Sequence, residues 1–225
     1  KFKISNLKFV NMDLTITKRD GTRELFNADR INRSIERACW GLIDPIAKVT
    51  QVATDMKVIL YDGITEEELD LATINAAVQN IKDNPDYDKV ATRLLLKTVY
   101  KHVLGDYGRD NELLRKLHRE SFPQYIRRGV AEKIFDERME KLFDLEKLAN
   151  VLNIEKDELF IYAGLSSFLD SYSVKDKKQR PAETPQYFFM RVAMGLSYNE
   201  KDPIEWAMKF YEKMSSHEYI AGGST

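Results

Sequence analysis

Two groups of basic side chains have residue types and spacing that suit them to binding an anion. The first joins Lys18 and Arg19 to arginines on one face of the next predicted helix: Arg30, Arg33 and Arg37. The second group is spaced by four residues: Lys89, Arg93, Lys97 and Lys101. Like charges four residues apart on a helix repel each other. The spacing therefore predicts either a bound polyanion such as a triphosphate, or a solvated face neutralised by carboxylates such as those at 66–70.

No catalytic or metal site stands out in the sequence. Its three histidines lie far apart without the spacing of metal ligands, and Cys39 has no histidine near it in sequence to activate it. The glycine motifs of P-loops and of dinucleotide-binding folds are absent. The cluster of carboxylates is typical of a solvated helix start and consists of Glu66, Glu67, Glu68 and Asp70. We therefore predict neither a catalytic residue nor a bound metal in this stretch.

The composition is that of an ordinary globular protein. The chain has 225 residues, 43% of them hydrophobic, and its 35 basic and 36 acidic side chains give a formal net charge of −1. This balance argues against a nonspecific nucleic-acid binder. A single cysteine excludes an internal disulfide, a paired-cysteine zinc site and an iron–sulfur cluster, and favours a cytoplasmic protein. No segment has the apolar length of a signal peptide or a membrane span.

Residues 14–105 have the pattern of a small β-hairpin followed by four helices. Leu14 and Ile16 alternate with threonines, as in a strand, and an Asp-Gly pair suits the positive φ of a tight turn. Thr65 and Glu68 have the spacing of a capping box. The predicted strands are 14–17 and 23–26. The first predicted helix begins after Asn27 or Asp29, and the second spans 46–60 with Ile59 inward. The third begins at Thr65, and the fourth runs from Tyr87 to Gly105.

The rest of the chain has mostly helical patterns. Pro185 is expected to open a helix that buries Leu196, and Asp202-Pro203 to begin the next one. Because the sequence does not begin with Met and ends at Gly222-Gly223-Ser224-Thr225, we expect it to be one piece of a longer protein. The remaining expectations are helices near 110–120, 130–142 and 144–152, irregular chain at 156–182, and a strand entered at 217–220.

Several stretches of the sequence are those of a known family. The first part contains ITKRDG at 16–21 with Glu24 and Asn27, DRI at 29–31, YDGI at 61–64, PDY at 85–87, ATRL at 91–94, and Lys101. It closely resembles the ATP-cone, the allosteric nucleotide-binding module at the N-terminus of many ribonucleotide reductase large subunits. The second part contains ETPQYFFMRVA at 183–193 and resembles the helical region that follows in the same subunits.

The resemblance implies an effector site in the cone. ATP, with Mg²⁺, would permit activity, and dATP at the same site would stop it through a change in oligomeric state. A switch of this kind requires that the two ligands bind the protein's states with different affinities. The resemblance assigns the triphosphate to Lys18, Arg19 and Lys101, the adenine to Glu24 and Asn27, the pocket lining to Arg30 and Ile31, and the ribose side to Glu66 and Asp70.

The resemblance also implies the activity of the larger enzyme. That enzyme is a ribonucleoside-diphosphate reductase of the thioredoxin- or glutaredoxin-dependent type, which supplies deoxyribonucleotides for DNA synthesis. Its catalytic cysteines belong to a ten-stranded α/β barrel that this stretch does not contain. The implied partners are that barrel, a radical-generating small subunit and further copies of the large subunit, with no nucleic acid and no membrane. Ser224 or Thr225, at the entry to the barrel, would help hold substrate phosphate.

Two other functions compete with this interpretation. One is a stand-alone ATP-cone module that regulates by contact without catalysis, which the match at 183–193 disfavours. The other is the cone-bearing repressor of reductase genes, which a single cysteine rules out because that repressor has a zinc ribbon. The predicted fold class is mainly α, in the α+β class. We expect an N-terminal arm at 1–13, a cone at 14–105 with a small sheet capping a four-helix bundle, and an all-helical region at 106–225.

Overall fold

The computed structural model describes residues 14–105 and 110–219. The N-terminal arm at 1–13, the start of the predicted helical region at 106–109, and Ser224 and Thr225 lie outside these ranges. The described chain is mostly helical with one small sheet, which confirms the mainly α fold class. It forms two compact units that divide between Thr98 and Val99. This division lies within a helix, close to the predicted end of the cone at residue 105.

The first unit begins with a three-stranded sheet, formed by β1 (Thr15–Thr17), β2 (Arg23–Leu25) and β3 (Ile64–Thr65). The hairpin has the predicted turn, in which Gly21 adopts a φ of 83° that a residue with a side chain rarely adopts. The sequence analysis missed β3, which pairs in parallel with β1 and sets Ile64 opposite Ile16. A two-residue strand is too short to show any alternation of apolar and polar residues.

Four helices complete the first unit: α1 (Ala28–Ala38), α2 (Pro45–Lys57), α3 (Glu66–Gln79) and α4 (Asp86–Leu104), the last of which continues beyond Thr98. Asn27 is the N-cap of α1, and the capping box of Thr65 and Glu68 is present as predicted. Helix α2 ends three residues earlier than predicted. Ile59 therefore lies beyond the helix end and is exposed, contrary to its predicted burial.

The second unit contains six further helices among its described residues. They are α5 (Asn111–Ala131), α6 (Arg138–Lys141), α7 (Leu145–Val151), α8 (Tyr162–Ser171), α9 (Pro185–Leu196) and α10 (Pro203–Ser215), with a 3₁₀ helix at Ile154–Leu159. Helix α9 packs against α10, and α5 packs against α7. The largest fully buried side chains are aromatic and include Phe122, Tyr187 and Tyr211.

Several predicted boundaries in the second unit are wrong. Helix α5 continues through Pro123 to Ala131, because burial of Phe122 and Ile126 offsets the backbone hydrogen bond that proline cannot make. The helix expected at 130–142 shrinks to α6, since the chain turns back at Lys133, whose φ is 59°. Residues expected to be irregular form α8, in which Leu165 and Leu169 are buried despite a helix-weakening glycine and serines.

Two further expectations near the chain end are also wrong. Leu196 is exposed, because α9 ends there and its buried face consists of residues earlier in the helix. Residues 217–219 form no strand, since His217 adopts a positive φ of 56° that closes the end of α10 with a turn. No helix in the described ranges has both the length and the apolarity needed to cross a membrane.

A chain of buried hydrogen bonds lies inside the second unit. Tyr100 and Gln186 both donate to the carboxylate of Asp157, the latter over 2.6 Å, and Tyr211 donates to Gln186 over 2.6 Å. Asp157 is completely buried, and that burial raises the pKa of its carboxyl to about 7 despite the two donated hydrogen bonds. The folded state therefore holds the Asp157 proton more tightly than an unfolded chain, in which an aspartate has a pKa near 3.9.

We expect Asp157→Asn to change how the stability of the second unit depends on pH. Because the folded-state pKa lies above the unfolded one, the contribution of Asp157 is complete below about pH 4 and is lost as the pH rises through about 7. The free energy of unfolding of the variant relative to the natural chain should therefore rise between pH 4 and pH 8, by a few kcal/mol at most. Urea titrations at several pH values measure it. Asp170→Asn, at an exposed aspartate, is the matched control, and a flat difference for Asp157→Asn would contradict the prediction.

Candidate functional site

A continuous chain of ion pairs joins the sheet of the first unit to two of its helices. The carboxylate of Glu24 on β2 contacts the Lys18 ammonium, and it lies 3.5 Å from the Arg30 guanidinium on α1. Arg30 reaches a second carboxylate, that of Glu66 at the start of α3, over 3.7 Å. The hydrogen bond and charge of Glu24 raise the pKa of the Lys18 ammonium, so this side chain is firmly cationic at neutral pH.

The hairpin places the first part of this chain. Ile16 on β1 pairs with Glu24 on β2, and just after β1 the Lys18 amide donates to the carbonyl of Thr22 over 2.8 Å. The hairpin therefore keeps Lys18 close to Glu24. Asn27 begins α1 by accepting a hydrogen bond from the Arg30 amide over 3.0 Å. That cap occupies the side-chain oxygen of Asn27, and a ligand contact by Asn27 would therefore come from its side-chain NH₂ group.

A second ion pair links α3 to α4. The Lys97 ammonium lies 3.3 Å from the carboxylate of Asp70. Glu66 and Asp70 are four residues apart, so they lie one turn apart on the same face of α3. The predicted neutralisation of the basic stripe on α4 by this acidic segment is therefore confirmed at Lys97.

The carboxylates of α3 are less exposed than the cations that they contact. The side chains of Glu66 and Asp70 are 13% and 17% exposed, whereas those of Arg30 and Lys97 are 47% and 36% exposed. The solvent therefore has better access to the cations than to the acids. A dissolved anion would meet the positive groups first.

The structure places the other predicted site residues in different ways. Arg19 lies in the exposed hairpin turn, and Ile31 is half-buried in the first turn of α1. Lys101 lies one turn beyond Lys97 in α4, past Thr98, and therefore belongs to the second compact unit. The structure thus brings together Lys18, Glu24, Arg30 and Glu66, and separately Asp70 with Lys97.

Arg93, a member of the predicted basic stripe on α4, holds together the backbone of the first unit. Its guanidinium donates to the carbonyl oxygens of Ala38 over 3.0 Å and of Trp40 over 2.7 Å, at the end of α1. Carbonyl groups at a helix C-terminus lack partners within the helix, and an arginine can satisfy them. Spacing alone does not distinguish such an arginine from one that binds an anion.

The residues discounted as catalytic have environments that suppress reactivity. Burial raises the pKa of the Cys39 thiol to about 11, so it stays protonated at neutral pH. Burial likewise lowers the pKa of His118 to about 3. Within 14–105 and 110–219, no three histidine, cysteine, aspartate or glutamate side chains are arranged to hold a metal ion.

The sequence analysis missed a buried polar cluster in the second unit. Glu183 is completely buried and accepts hydrogen bonds from Tyr125, from the amide of Val174 over 2.8 Å and from the guanidinium of Arg191 over 3.0 and 3.1 Å. Glu183 and Arg191 both lie in the segment 183–193 that carries the resemblance. They are eight residues apart, whereas ion pairs that can be recognised from helical spacing are three or four residues apart.

Comparison with known families identifies the class of each part of the chain. Residues 14–102 match the family model of the ATP cone domain, and residues 158–225 match that of the all-alpha domain of ribonucleotide reductase. The chain therefore has a match to the ATP cone followed by a match to the reductase all-alpha domain, in the order that the resemblance predicted.

Curated relatives align with most of this chain. A ribonucleoside-diphosphate reductase subunit alpha of Chlamydia muridarum is 38% identical over 93% of this chain, which corresponds to 20% of that protein. The subunit alpha of Helicobacter pylori strain 26695 is 34% identical over 94% of this chain and 26% of its own length. That of bacteriophage T4 is 28% identical over 91% of this chain and 26% of its own length. The chain thus spans about a fifth to a quarter of these relatives, and the resemblance to the N-terminal part of reductase large subunits is confirmed.

Proposed function

We propose that this chain is the allosteric regulatory N-terminal part of a ribonucleotide reductase large subunit, with ATP as activator and dATP as inhibitor. The observation that carries the proposal is the ion-pair cluster of Lys18, Glu24, Arg30 and Glu66 within a segment that matches the ATP cone. An all-alpha reductase domain follows in the same chain, which favours the reductase over a stand-alone cone.

In this proposal the triphosphate is bound by cations of the hairpin and of α4. Lys18 is cationic and Arg19 is exposed beside it, so both can approach a phosphate from the solvent. Arg30 adds a planar guanidinium at the pocket lining, which suits phosphate oxygens. We assign the remaining phosphate contact to Lys101, on the last turn of α4.

The adenine is assigned to Glu24 and Asn27. The amino group of adenine is a hydrogen-bond donor, which a carboxylate can accept, whereas guanine presents a carbonyl oxygen at the same place. The side-chain NH₂ group of Asn27 can donate to a ring nitrogen, because the cap uses only its oxygen. These two residues together would favour adenine over guanine, and Ile31 would pack against the base.

The sugar is assigned to the side of the site formed by Glu66 and Asp70. A carboxylate can accept hydrogen bonds from ribose hydroxyls, so these residues are placed to distinguish ATP from dATP. Mg²⁺ would arrive bound to the triphosphate, since this ion commonly uses substrate phosphates and only one or two carboxylates. Its charge would offset the repulsion between the phosphates and the acids of α3.

The proposal assigns the catalytic steps to parts of the enzyme other than residues 14–105 and 110–219. A barrel would carry the catalytic cysteines, reduced by thioredoxin or glutaredoxin, and a small subunit would generate the radical. Ser224 and Thr225 are proposed to approach the substrate phosphate of a ribonucleoside diphosphate. Regulation would act through association of large subunits in the cytoplasm.

We expect the chain to bind ATP and dATP but not GTP, and to change its mass on binding dATP. Titration calorimetry measures the affinities, and light scattering measures the mass. Lys18→Ala and Lys101→Ala should each weaken both adenine nucleotides by about 10-fold or more, because each removes a charge-assisted contact to phosphate. Lys82→Ala removes an equal charge from an exposed lysine after α3 and is the matched control.

The same variants test the regulatory role in an enzyme completed with the barrel and the radical-generating subunit. Lys18→Ala combined with Lys101→Ala should abolish inhibition by dATP and retain nucleotide reduction. Loss of both properties together would contradict the roles assigned here. If the unaltered chain binds no nucleotide, it has no working effector site, and its role is reduced to that of a structural part of the large subunit.

A further inference from the structure

Two acids on α3, Glu66 and Asp70, take no part in the capping box that begins that helix. Thr65 and Glu68 already form its capping box, with the Glu68 carboxylate accepting from the Thr65 amide over 2.9 Å. Glu66 turns instead towards Arg30, and Asp70, one turn further on, towards Lys97. Partly exposed ion pairs of this kind contribute little to stability, about 1 kcal/mol or less. The ion pairs that these two acids form with more exposed cations have another physical consequence.

That consequence is electrostatic. The ion pairs described above at the proposed site contain three cations, Lys18, Arg30 and Lys97, and three carboxylates, Glu24, Glu66 and Asp70, so the formal charges of these six groups cancel. A nucleoside triphosphate carries several negative charges. It must share these cations with acids that already neutralise them, and the acids of α3 are the less exposed partners in those pairs.

We propose that Glu66 and Asp70 act as built-in competitors of the phosphates and lower the affinity of the site for nucleoside triphosphates. This inference rests on the proposed function, because it concerns the same site. The two carboxylates hold Arg30 and Lys97 in the empty state and repel the bound triphosphate, which keeps the effector readily exchangeable. A site without them would have a larger positive potential and would release nucleotide more slowly.

The test is to neutralise each acid without changing its shape. Glu66→Gln and Asp70→Asn keep the side-chain volume and the ability to accept a hydrogen bond. Each should tighten ATP binding to the full 225-residue chain by about 3-fold to 30-fold at low ionic strength, because one negative charge near the phosphates is removed. The gain should shrink at high salt, where such interactions are screened.

The control is Asp83→Asn, which makes the same chemical change at an exposed aspartate beyond the opposite end of α3. Calorimetric titration with ATP and, separately, with adenosine gives two readouts. Tighter ATP binding by both site variants, with no gain for adenosine and none for Asp83→Asn, supports the inference. If Glu66 and Asp70 only supported the fold, replacing them would not tighten ATP binding.

Two results would overturn it, and they are distinguishable. If the unaltered chain binds ATP but both site variants bind it equally well or more weakly, the carboxylates do not compete with phosphate, and the proposed function stands. If neither the unaltered chain nor any variant binds ATP, the proposed function fails and this inference fails with it. Thermal melting of each variant confirms that the chains compared are folded.

Discussion

Arg191→Gln is expected to destabilise the second unit by about 3 kcal/mol, because it leaves the buried carboxylate of Glu183 without its cation. The Glu183 side chain has no exposed surface, and the Arg191 side chain is only 18% exposed. The guanidinium makes two hydrogen bonds to that carboxylate and also lies over the rings of Phe135 and Phe188. The substitution thus removes a charge, two donors and ring contacts together.

Urea unfolding in a Trp40→Phe background measures this effect. Trp40 is 81% exposed in the first unit, and its removal leaves Trp206, which packs against Phe210 on α10, as the sole tryptophan. Fluorescence then reports on the second unit. The control is Lys201→Gln, an exposed cation just before α10, which should change the free energy of unfolding by less than about 0.5 kcal/mol.

A double-variant comparison separates the charge effect from the loss of packing. Glu183→Gln with Arg191→Gln should cost less than the sum of the two single substitutions, because neither charge then remains buried alone. If the double variant loses as much free energy of unfolding as the two single variants together, the two side chains act independently. That result would contradict the role assigned to this pair.

Gly129→Ala is expected to destabilise the second unit by about 2 kcal/mol. A Cβ atom at this position would lie 2.0 and 2.2 Å from the Cδ2 and Cε2 atoms of Phe135, far inside van der Waals contact. The Phe135 ring cannot easily withdraw. It meets Tyr125 edge-on at 5.3 Å, and its own amide donates to the carbonyl of Gly129 over 3.0 Å.

Gly195→Ala is the matched control, because it makes the same change in helix α9. No atom lies within 4 Å of the added Cβ there. Alanine favours a helix over glycine by about 1 kcal/mol, so this variant should be neutral or slightly stabilising. Urea unfolding followed at Trp206 measures both variants, and equal stabilities would contradict the steric argument at Gly129.

Phe135→Ala offers an independent check on the same contact. In that background Gly129→Ala should lose most of its cost, because the ring that the new methyl group meets is gone. A cost that persists would place the strain in the backbone of α5 and not in the contact with the ring.

Local signals in the sequence were reliable at three places where the deciding interaction spans a few residues. The hairpin turn at Gly21, the capping box at Thr65 and the start of α10 at Asp202 all occur as predicted. Each depends on a φ preference or on a hydrogen bond between residues up to four apart. The sequence therefore contains these elements almost independently of the rest of the fold.

The same local rules failed where tertiary burial outweighed them. The helix predicted near 110–120 continues through Pro123, and part of the chain predicted to be irregular at 156–182 forms a helix that includes Gly164. In each case large apolar side chains of the same helix are buried. Burial of one such side chain contributes about 2 kcal/mol, which is comparable to the local penalties.

The sequence by itself determined the family resemblance, the order of the two parts, the mainly helical fold and the types of residue in the proposed effector site. Only the tertiary structure decided which charges meet: Arg30 with Glu66, Lys97 with Asp70, and Arg191 with the buried Glu183. It also showed that Arg93 serves the backbone of α1. The reason is physical. Helix and turn signals lie in neighbouring residues, whereas an ion pair between elements exists only after the chain has brought distant residues together.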